Sequence, residues 1–204
     1  NKEIFQQYLA LPSIVSEPLE IVKAEGIYLI TDTGDKYIDL VSGVSVSNLG
    51  HRHPHVIKAI HDQLDRYMHL MVYGEYIQSP QVKLAGLLSE VLPTHLDCTY
   101  FVNSGSEAVE GALKLAKRYT GRFKTIAFNK AYHGSTGGAL SVMGDESFKN
   151  AFRPLVPGTT FLDFNDFSGL EQIDGQTASV IIEPIQGEGG IILPEDGFLQ
   201  EIRD

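Results

Sequence analysis

Two hydroxyl side chains flank a glycine in the turn Ser104-Gly105-Ser106, directly before a helical pattern. An apolar run at residues 98–102 precedes the turn and predicts a short buried strand. Gly121 is placed to end the helix. At the start of a helix, unpaired N–H groups meet the positive end of the helix dipole, and hydroxyls add further donors. The turn therefore predicts a phosphate-binding site, and an ordinary serine-capped helix is the alternative. The helical spacing is carried by Ala108, Val109, Ala112, Leu113 and Ala116.

The elements that position this turn alternate between strands and helices. Further strands are predicted at residues 125–128, 159–162 and 179–182, with a short helix after Asp166. Such alternation predicts a parallel sheet covered by helices on both faces, and ligands of these sheets bind beyond the C-terminal strand ends. The Ser104 turn, the loop around Tyr132 and the carboxylate of Glu183 all lie at that edge. One pocket can therefore gather them.

The first part of the chain has a different pattern. Three short strands are predicted at residues 19–22, 26–30 and 36–40, and they form an antiparallel meander. Pro54 is placed to begin one helix, and a second helix runs from Ser79 to a stop at Pro93.

Four stretches of the chain resemble, in the same order, the class III aminotransferases, which use pyridoxal 5′-phosphate. They are residues 40–51, 103–121, 131–134 and 183–190, so the resemblance covers the chain from about Leu40 to its end. It implies an α/β fold, the fold type I of the pyridoxal-phosphate-dependent transferases. The sheet is mostly parallel with helices on both faces, here incomplete, and the antiparallel β-meander comes from the smaller domain. The implied division is residues 1–48 as the N-terminal segment of the small domain and residues 49–204 as the first part of the large domain.

The resemblance also assigns cofactor-binding residues. Gly105 and Ser106 match the positions that hold the cofactor phosphate, with Ser104 beside them. Tyr132 matches the aromatic residue that stacks on the pyridoxal ring, since an aromatic face can hold a flat ring without consuming its electron-sink character. His133 is expected to make a local hydrogen bond. Glu183 ends a buried strand, where its carboxylate needs a polar partner near the cofactor.

Two further positions concern the substrate. In the family, a glutamate at the position of Glu188 often pairs with an arginine from the C-terminal region and gates between donor and keto-acid substrates. A solvated loop glutamate is the alternative. Ser135 stands where members acting on acetylornithine or ornithine commonly have an arginine. Because a hydroxyl lacks the bidentate grip of a guanidinium, we expect an amine or ω-amino-acid donor rather than acetylornithine.

The implied function is an aminotransferase that moves an amino group from an amine or amino acid to a keto acid in a ping-pong cycle. The Schiff-base lysine and the carboxylate for the pyridine nitrogen are expected beyond Asp204, because Lys130 is typical of a solvated loop lysine. The 204 residues are therefore expected to be an N-terminal portion, inactive alone, of an enzyme that is a homodimer. Alternatives are an acetylornithine- or ornithine-type enzyme, a related aminomutase or decarboxylase, and a non-catalytic module binding the cofactor or phosphate.

Composition excludes several other classes. The net charge is −10, from 16 Lys and Arg against 26 Asp and Glu, and no basic cluster occurs, which argues against nucleic acid. No apolar run approaches membrane-spanning length, so a membrane partner is not expected. The lone Cys98 cannot form an intrachain disulfide and is expected in the core, with the reduced cytoplasm as the default location.

Other catalytic motifs are absent or incomplete. The turn at Ser104 lacks the Gly-x-Gly-x-x-Gly spacing of dinucleotide binding, and no Gly-x-Ser-x-Gly elbow occurs. His51, His53 and His55 alternate, but Pro54 interrupts any strand there and no carboxylate or cysteine lies at ligand spacing. We therefore expect neither a nicotinamide dehydrogenase, nor a serine hydrolase, nor a metal site.

Overall fold

The computed structural model describes residues 1–11 and 17–204. Backbone contacts divide the chain into two compact units, Asn1–Val82 and Lys83–Asp204. The domain boundary between residues 48 and 49 stays a prediction. No helix in the described ranges is long and apolar enough to cross a lipid bilayer.

The first unit is built on the predicted antiparallel meander. Its three strands pair in the order β1-β2-β3, with Tyr28 opposite Ile38 in the second pairing. Pro54 occupies the first turn of the following helix, as predicted, because its missing N–H costs nothing there. The elements are α1 (Lys2–Tyr8), β1 (Ile21–Glu25), β2 (Tyr28–Thr31), β3 (Lys36–Ile38), the single turn α2 (Ser42–Ser45), α3 (Pro54–Leu64) and α4 (Ser79–Val91), which ends in the second unit.

The segment after β3 folds back onto the meander through Asp39. Its carboxylate accepts the N–H groups of Val41 and Ser42 at 3.2 and 2.8 Å and pairs with His51 Nε2 at 2.7 Å. The hydrogen bond from His51 is the largest of the effects that lower the pKa of Asp39. These hydrogen bonds hold the two ends of the segment between Asp39 and His51 together. The conformation of this segment therefore depends on side-chain hydrogen bonds more than on regular secondary structure.

The second unit contains the predicted parallel sheet. Its strands lie in the order β5-β4-β6, and both pairings are parallel. Helix α5 packs against β6 and α6 and ends, as predicted, at Gly121 in the left-handed conformation. The helix expected after Asp166 is a 3-10 turn at Ser168–Gln172. The elements are α5 (Gly105–Thr120), β4 (Lys124–Phe128), α6 (Gly137–Ser141), α7 (Glu146–Lys149), β5 (Thr159–Leu162), β6 (Thr177–Val180) and α8 (Phe198–Arg203).

The core of this unit surrounds the central strand β4. Phe128 and Phe198 are fully buried and meet edge to face, with ring centroids 5.9 Å apart. Phe164 and Phe167 add further edge-to-face contacts to Phe198 at 5.4 and 5.3 Å. Burying these rings adds an apolar contribution to the core around β4 and β5. The strand ends that carry the candidate site are therefore anchored in a packed core.

Residues 98–102 are not a strand, so that prediction is wrong. The segment has no regular secondary structure and no strand partner in the described part of the chain, and Tyr100 is 81% exposed. Cys98 is exposed as well, so its predicted place in the core is also wrong. The physical reason is that an apolar, β-prone run becomes a buried strand only when a neighbouring strand takes up its backbone hydrogen bonds. Within the described residues, β4, β5 and β6 pair only with one another.

Candidate functional site

Helix α5 begins at the predicted turn. Ser104 is its N-cap, and the Ser104 hydroxyl accepts the N–H of Glu107 at 3.2 Å. The Glu107 carboxylate in turn accepts the N–H of Asn103 at 2.7 Å, which closes a variant of the capping box. In the described part of the chain, the N–H groups of Gly105 and Ser106 have no protein acceptor. These two donors, at the positive end of a 16-residue helix, are suited to an anion.

The loop that follows β4 comes back to this helix terminus at Ser106. The N–H of Ser135 donates to Ser106 Oγ at 3.3 Å. Gly134 has φ +111°, and a Cβ at this position would lie 2.9 Å from Ser106 Cβ and 3.0 Å from Ser106 Cα. Only glycine permits both this backbone conformation and this approach. The structure thus brings together the Ser106 turn and the loop of residues 132–135, which are separate in sequence.

Glu183 connects the same loop to the segment after β6. Its Oε1 accepts the N–H of Tyr132 at 2.6 Å, and its Oε2 accepts the N–H of Gly187 at 2.9 Å. Strand β6 ends at Val180, so the expectation that Glu183 ends the strand is wrong, and Glu183 lies in the segment that follows it. Glu183 is half-buried, and its carboxylate has the polar partners that partial burial requires. Both partners are backbone groups, which the side-chain pattern did not indicate.

The side chains of Tyr132 and His133 have different surroundings. The Tyr132 ring is 43% exposed and meets Phe148 edge to face at 6.1 Å between centroids. His133 Nε2 is buried and has no hydrogen-bond partner among the described residues, so the local bond expected for it is not seen at this atom. Burial lowers the pKa of His133 below its ordinary 6.5, and the nearby Glu183 charge opposes this shift. The imidazole is therefore neutral at pH 7.

A second contact between α5 and the segment that follows β4 was not predicted from the sequence. Glu110 Oε1 accepts the N–H groups of Gly138 and Ala139, at 2.7 and 3.3 Å, at the start of α6. Burial raises the pKa of Glu110, but hydrogen bonds from the Thr136 side chain and from these two N–H groups outweigh it and lower the pKa overall. The available signal was Thr136, a hydroxyl residue of the kind that is typical of a helix N-cap.

Three other sequence predictions concern exposed side chains. Glu188 is exposed and makes no ion pair in the described ranges. The Ser135 residue is exposed, and only its N–H is bonded. Lys130 is exposed, as expected for a solvated loop lysine. Among the residues that the structure describes, no group of three or more His, Cys, Asp or Glu is placed to hold a metal ion.

Comparison with known proteins places this arrangement in a family. Residues 12–204 match the family model for aminotransferase class III. The chain belongs to the class III aminotransferases. Over 92% of its length it is 44% identical to an acetylornithine aminotransferase of Methanopyrus kandleri, of which it covers 48%. Over 91% of its length it is 41% identical to a [LysW]-aminoadipate semialdehyde/glutamate semialdehyde transaminase of Sulfurisphaera tokodaii, of which it covers 48%.

Solved structures agree with this class III assignment. The chain superimposes, with a TM-score of 0.92, on adenosylmethionine-8-amino-7-oxononanoate aminotransferase from Methanocaldococcus jannaschii, at 32% identity. This match covers 98% of the present chain and 50% of the solved one. A taurine:2-oxoglutarate aminotransferase from Bifidobacterium kashiwanohense, solved with pyridoxal 5′-phosphate and glutamate, matches with a TM-score of 0.86 at 27% identity, over 98% of this chain and 51% of that one. The fold type I prediction is confirmed, and the chain spans about half the length of the relatives it matches.

The residues of this class III chain fit pyridoxal 5′-phosphate, the cofactor of the family. The open N–H groups of Gly105 and Ser106 suit its phosphate. A Cβ built on Gly105 would meet no atom within 4 Å, so space is open beside these donors. The exposed ring of Tyr132 suits its flat pyridine, and the loop carrying this ring is held against Ser106.

Proposed function

We propose that this chain forms the phosphate- and ring-binding part of an aminotransferase that moves an amino group from an amine or amino acid to a keto acid. The observation that carries the proposal is the N-terminus of α5, where two N–H groups remain open while the loop of residues 132–135 is packed against Ser106. When bound, pyridoxal 5′-phosphate supplies an electron sink for the substrate carbon. The chain's own residues bind and orient it.

The phosphate is held at the helix terminus. Gly105 has no side chain, so its backbone approaches an anion closely, and Ser106 offers both an N–H and a hydroxyl. Ser104 contributes indirectly, because its hydroxyl caps the helix and thereby orients the two open donors. The dipole of α5 adds an attraction that does not depend on the protonation of any side chain.

The ring is held by the loop after β4. Tyr132 provides the flat face, and Phe148 supports the Tyr132 ring from its edge. His133 is neutral, so it offers one donor and one acceptor nitrogen and no charge. Glu183 holds the backbone of Tyr132 in place. These residues orient the cofactor but do not themselves react.

The amino donor is an amine or ω-amino acid, with Ser135 and Glu188 on the substrate side. Ser135 presents only a hydroxyl, which binds a substrate carboxylate less tightly than a guanidinium. The second candidate is acetylornithine- or ornithine-type transfer, which is favoured by the 44% identity to the Methanopyrus enzyme. We further propose that the protein is a homodimer. We also propose that it is located in the cytoplasm, in keeping with the single cysteine, which is unpaired.

The phosphate site is tested with Ser106→Ala and pyridoxine 5′-phosphate, a probe that has no aldehyde and needs no lysine. Loss of a hydrogen bond to a charged group weakens binding by roughly 10- to 100-fold. Calorimetric titration of the cofactor-free full-length protein measures this change, and Ser89→Ala on α4 is the matched control, since Ser89 is exposed. Equal affinity of Ser106→Ala and the natural chain would refute the assignment.

The donor class is tested in the full-length protein by comparing kcat/KM for ω-amino acids, simple amines and acetylornithine. The proposal expects the amines and ω-amino acids to be preferred, and Ser135→Arg to shift the preference towards acetylornithine. High specificity of the natural protein for acetylornithine would favour the second candidate.

A further inference from the structure

We propose that Glu183 is a positioning residue that holds the backbone of Tyr132 and the loop at Gly187 at one fixed separation, so that the Tyr132 ring lies ready to stack on a ligand. This inference rests on the proposed function, because it takes the ligand to be bound at the N-terminus of α5. It assigns Glu183 an action through the protein backbone rather than through contact with the cofactor.

The geometry of the carboxylate supports this role. Each oxygen of Glu183 accepts one N–H, at 2.6 Å from Tyr132 and at 2.9 Å from Gly187. The two oxygens are fixed in one plane, so both donors are held at the same time and at a set spacing. Hydrogen bonds to an ionised acceptor are also stronger than neutral ones. Glu183 thus connects its own segment to the loop at Tyr132, from which it is 51 residues away in sequence.

The backbone of Tyr132 depends on this bond, because its neighbours are fixed by other contacts and Tyr132 itself is not. On one side, Ala131 is buried in the core and exchanges backbone hydrogen bonds with Phe128 and Gly144. On the other side, Gly134 is packed against Ser106. Between them, the bond to Glu183 is the one backbone hydrogen bond of Tyr132 in the part of the chain that the structure describes. The side chain itself is 43% exposed and contacts Phe148 edge to face, so the place of the ring depends on its backbone and on this one ring contact.

Glu183→Gln is the sharpest test, since it keeps the shape of the side chain. An amide has one acceptor oxygen, and its NH₂ group faces the second N–H, so one of the two bonds is lost. We expect the amide proton of Tyr132 or Gly187 to exchange with solvent about tenfold faster, as measured by NMR without any ligand. Glu171→Gln, an exposed glutamate in the 3-10 turn, is the control.

Ligand binding to the cofactor-free full-length protein separates positioning from general destabilisation. Inorganic phosphate reports on the helix terminus alone, and Glu183→Gln is expected to bind it as the natural chain does. Pyridoxine 5′-phosphate reports on the ring as well. We expect Glu183→Gln to bind it about tenfold more weakly and to lose the induced circular dichroism of the bound ring. Tyr132→Ala is expected to give the same loss, and the double variant no further loss.

Each outcome decides between the two proposals. Unchanged affinity and unchanged circular dichroism in Glu183→Gln overturn the positioning role and leave the proposed function standing. Equal loss of phosphate and pyridoxine phosphate binding also overturns it, because the effect is then not specific to the ring. If the natural chain binds neither probe, the proposed function fails, and the inference that rests on it fails with it.

Discussion

Helices α5 and α6 start with similar residues. They differ in whether an acceptor binds the N–H groups of their first turns. At α5, the N–H groups of Gly105 and Ser106 are open in the described structure. At α6, those of Gly138 and Ala139 are taken by the carboxylate of Glu110. Both starts follow a hydroxyl residue and contain glycine, so either is suited to an anion. The helix α6 already has an anion from its own chain, and only α5 remains available to a phosphate.

The largest expected effect comes from Gly134→Ala, which would push the loop of residues 132–135 away from the N-terminus of α5. The new Cβ would lie 3.0 Å from Ser106 Cα in a backbone at φ +111°. Overpacking and backbone strain together are expected to cost about 2–4 kcal/mol of the free energy of unfolding. Urea denaturation measures this cost. Gly137→Ala, where a Cβ meets nothing within 4 Å, is the control and should change stability little. Equal stability of the two variants would contradict the close approach at Ser106.

A smaller effect is expected from Glu110→Gln, which removes the carboxylate charge from the N-terminus of α6. Charged hydrogen bonds are replaced by neutral ones, at a cost of about 1–2 kcal/mol of the free energy of unfolding near pH 7. Because the folded pKa of Glu110 lies below its ordinary 4.5, its contribution is fully present above about pH 4.5 and is lost as the pH falls through the folded pKa.

Denaturation curves of the natural chain and Glu110→Gln, recorded between about pH 3 and pH 7, test this dependence. The stability difference should shrink at the acid end. Glu201→Gln on α8, whose side chain is exposed, is the control. A difference that stays constant with pH would show that the carboxylate charge plays no part in closing α6.

The smallest effect concerns His133, which lies between the two termini in sequence. Its folded pKa is lowered by burial, so the unfolded chain binds more protons than the folded chain just below pH 6.5. Stability is therefore expected to fall as the pH drops below about 6.5, and His133→Gln should remove that part of the slope. His69→Gln, an exposed position in the first unit, controls for loss of an imidazole. Titration of the His133 ring protons by NMR checks the direction, and a pKa above 6.5 would contradict it.

The local features of the fold could be predicted from sequence. Helix α5 has Ser104 as its N-cap and Gly121 as its left-handed end, and both signals act within one turn of the helix. The meander of β1 to β3 and the bounds of β5 also follow from local alternation and turn residues. These predictions succeeded because each depends on residues within a few positions of one another.

The contacts that make the site were decided only by the tertiary structure. Glu183 was expected to need a polar partner, yet the sequence does not say that this partner is the backbone of Tyr132, 51 residues away. Likewise, the requirement for glycine at position 134 arises from Ser106 Cα, on another element. At residues 98–102 the sequence predicted an element that is not formed. Their composition favours a strand, but no strand in the described ranges pairs with them.

Sequence alone therefore determined where the donors of the site lie along the chain, and tertiary structure decided which donors are open. Capping and helix polarity are properties of a short segment, so Gly105 and Ser106 were recognisable as N–H donors at the start of a helix. Whether a carboxylate already occupies such a turn depends on packing between elements distant in the chain. Glu110 fills the start of α6 because α5 and α6 pack together, and no pattern within either segment contains that information.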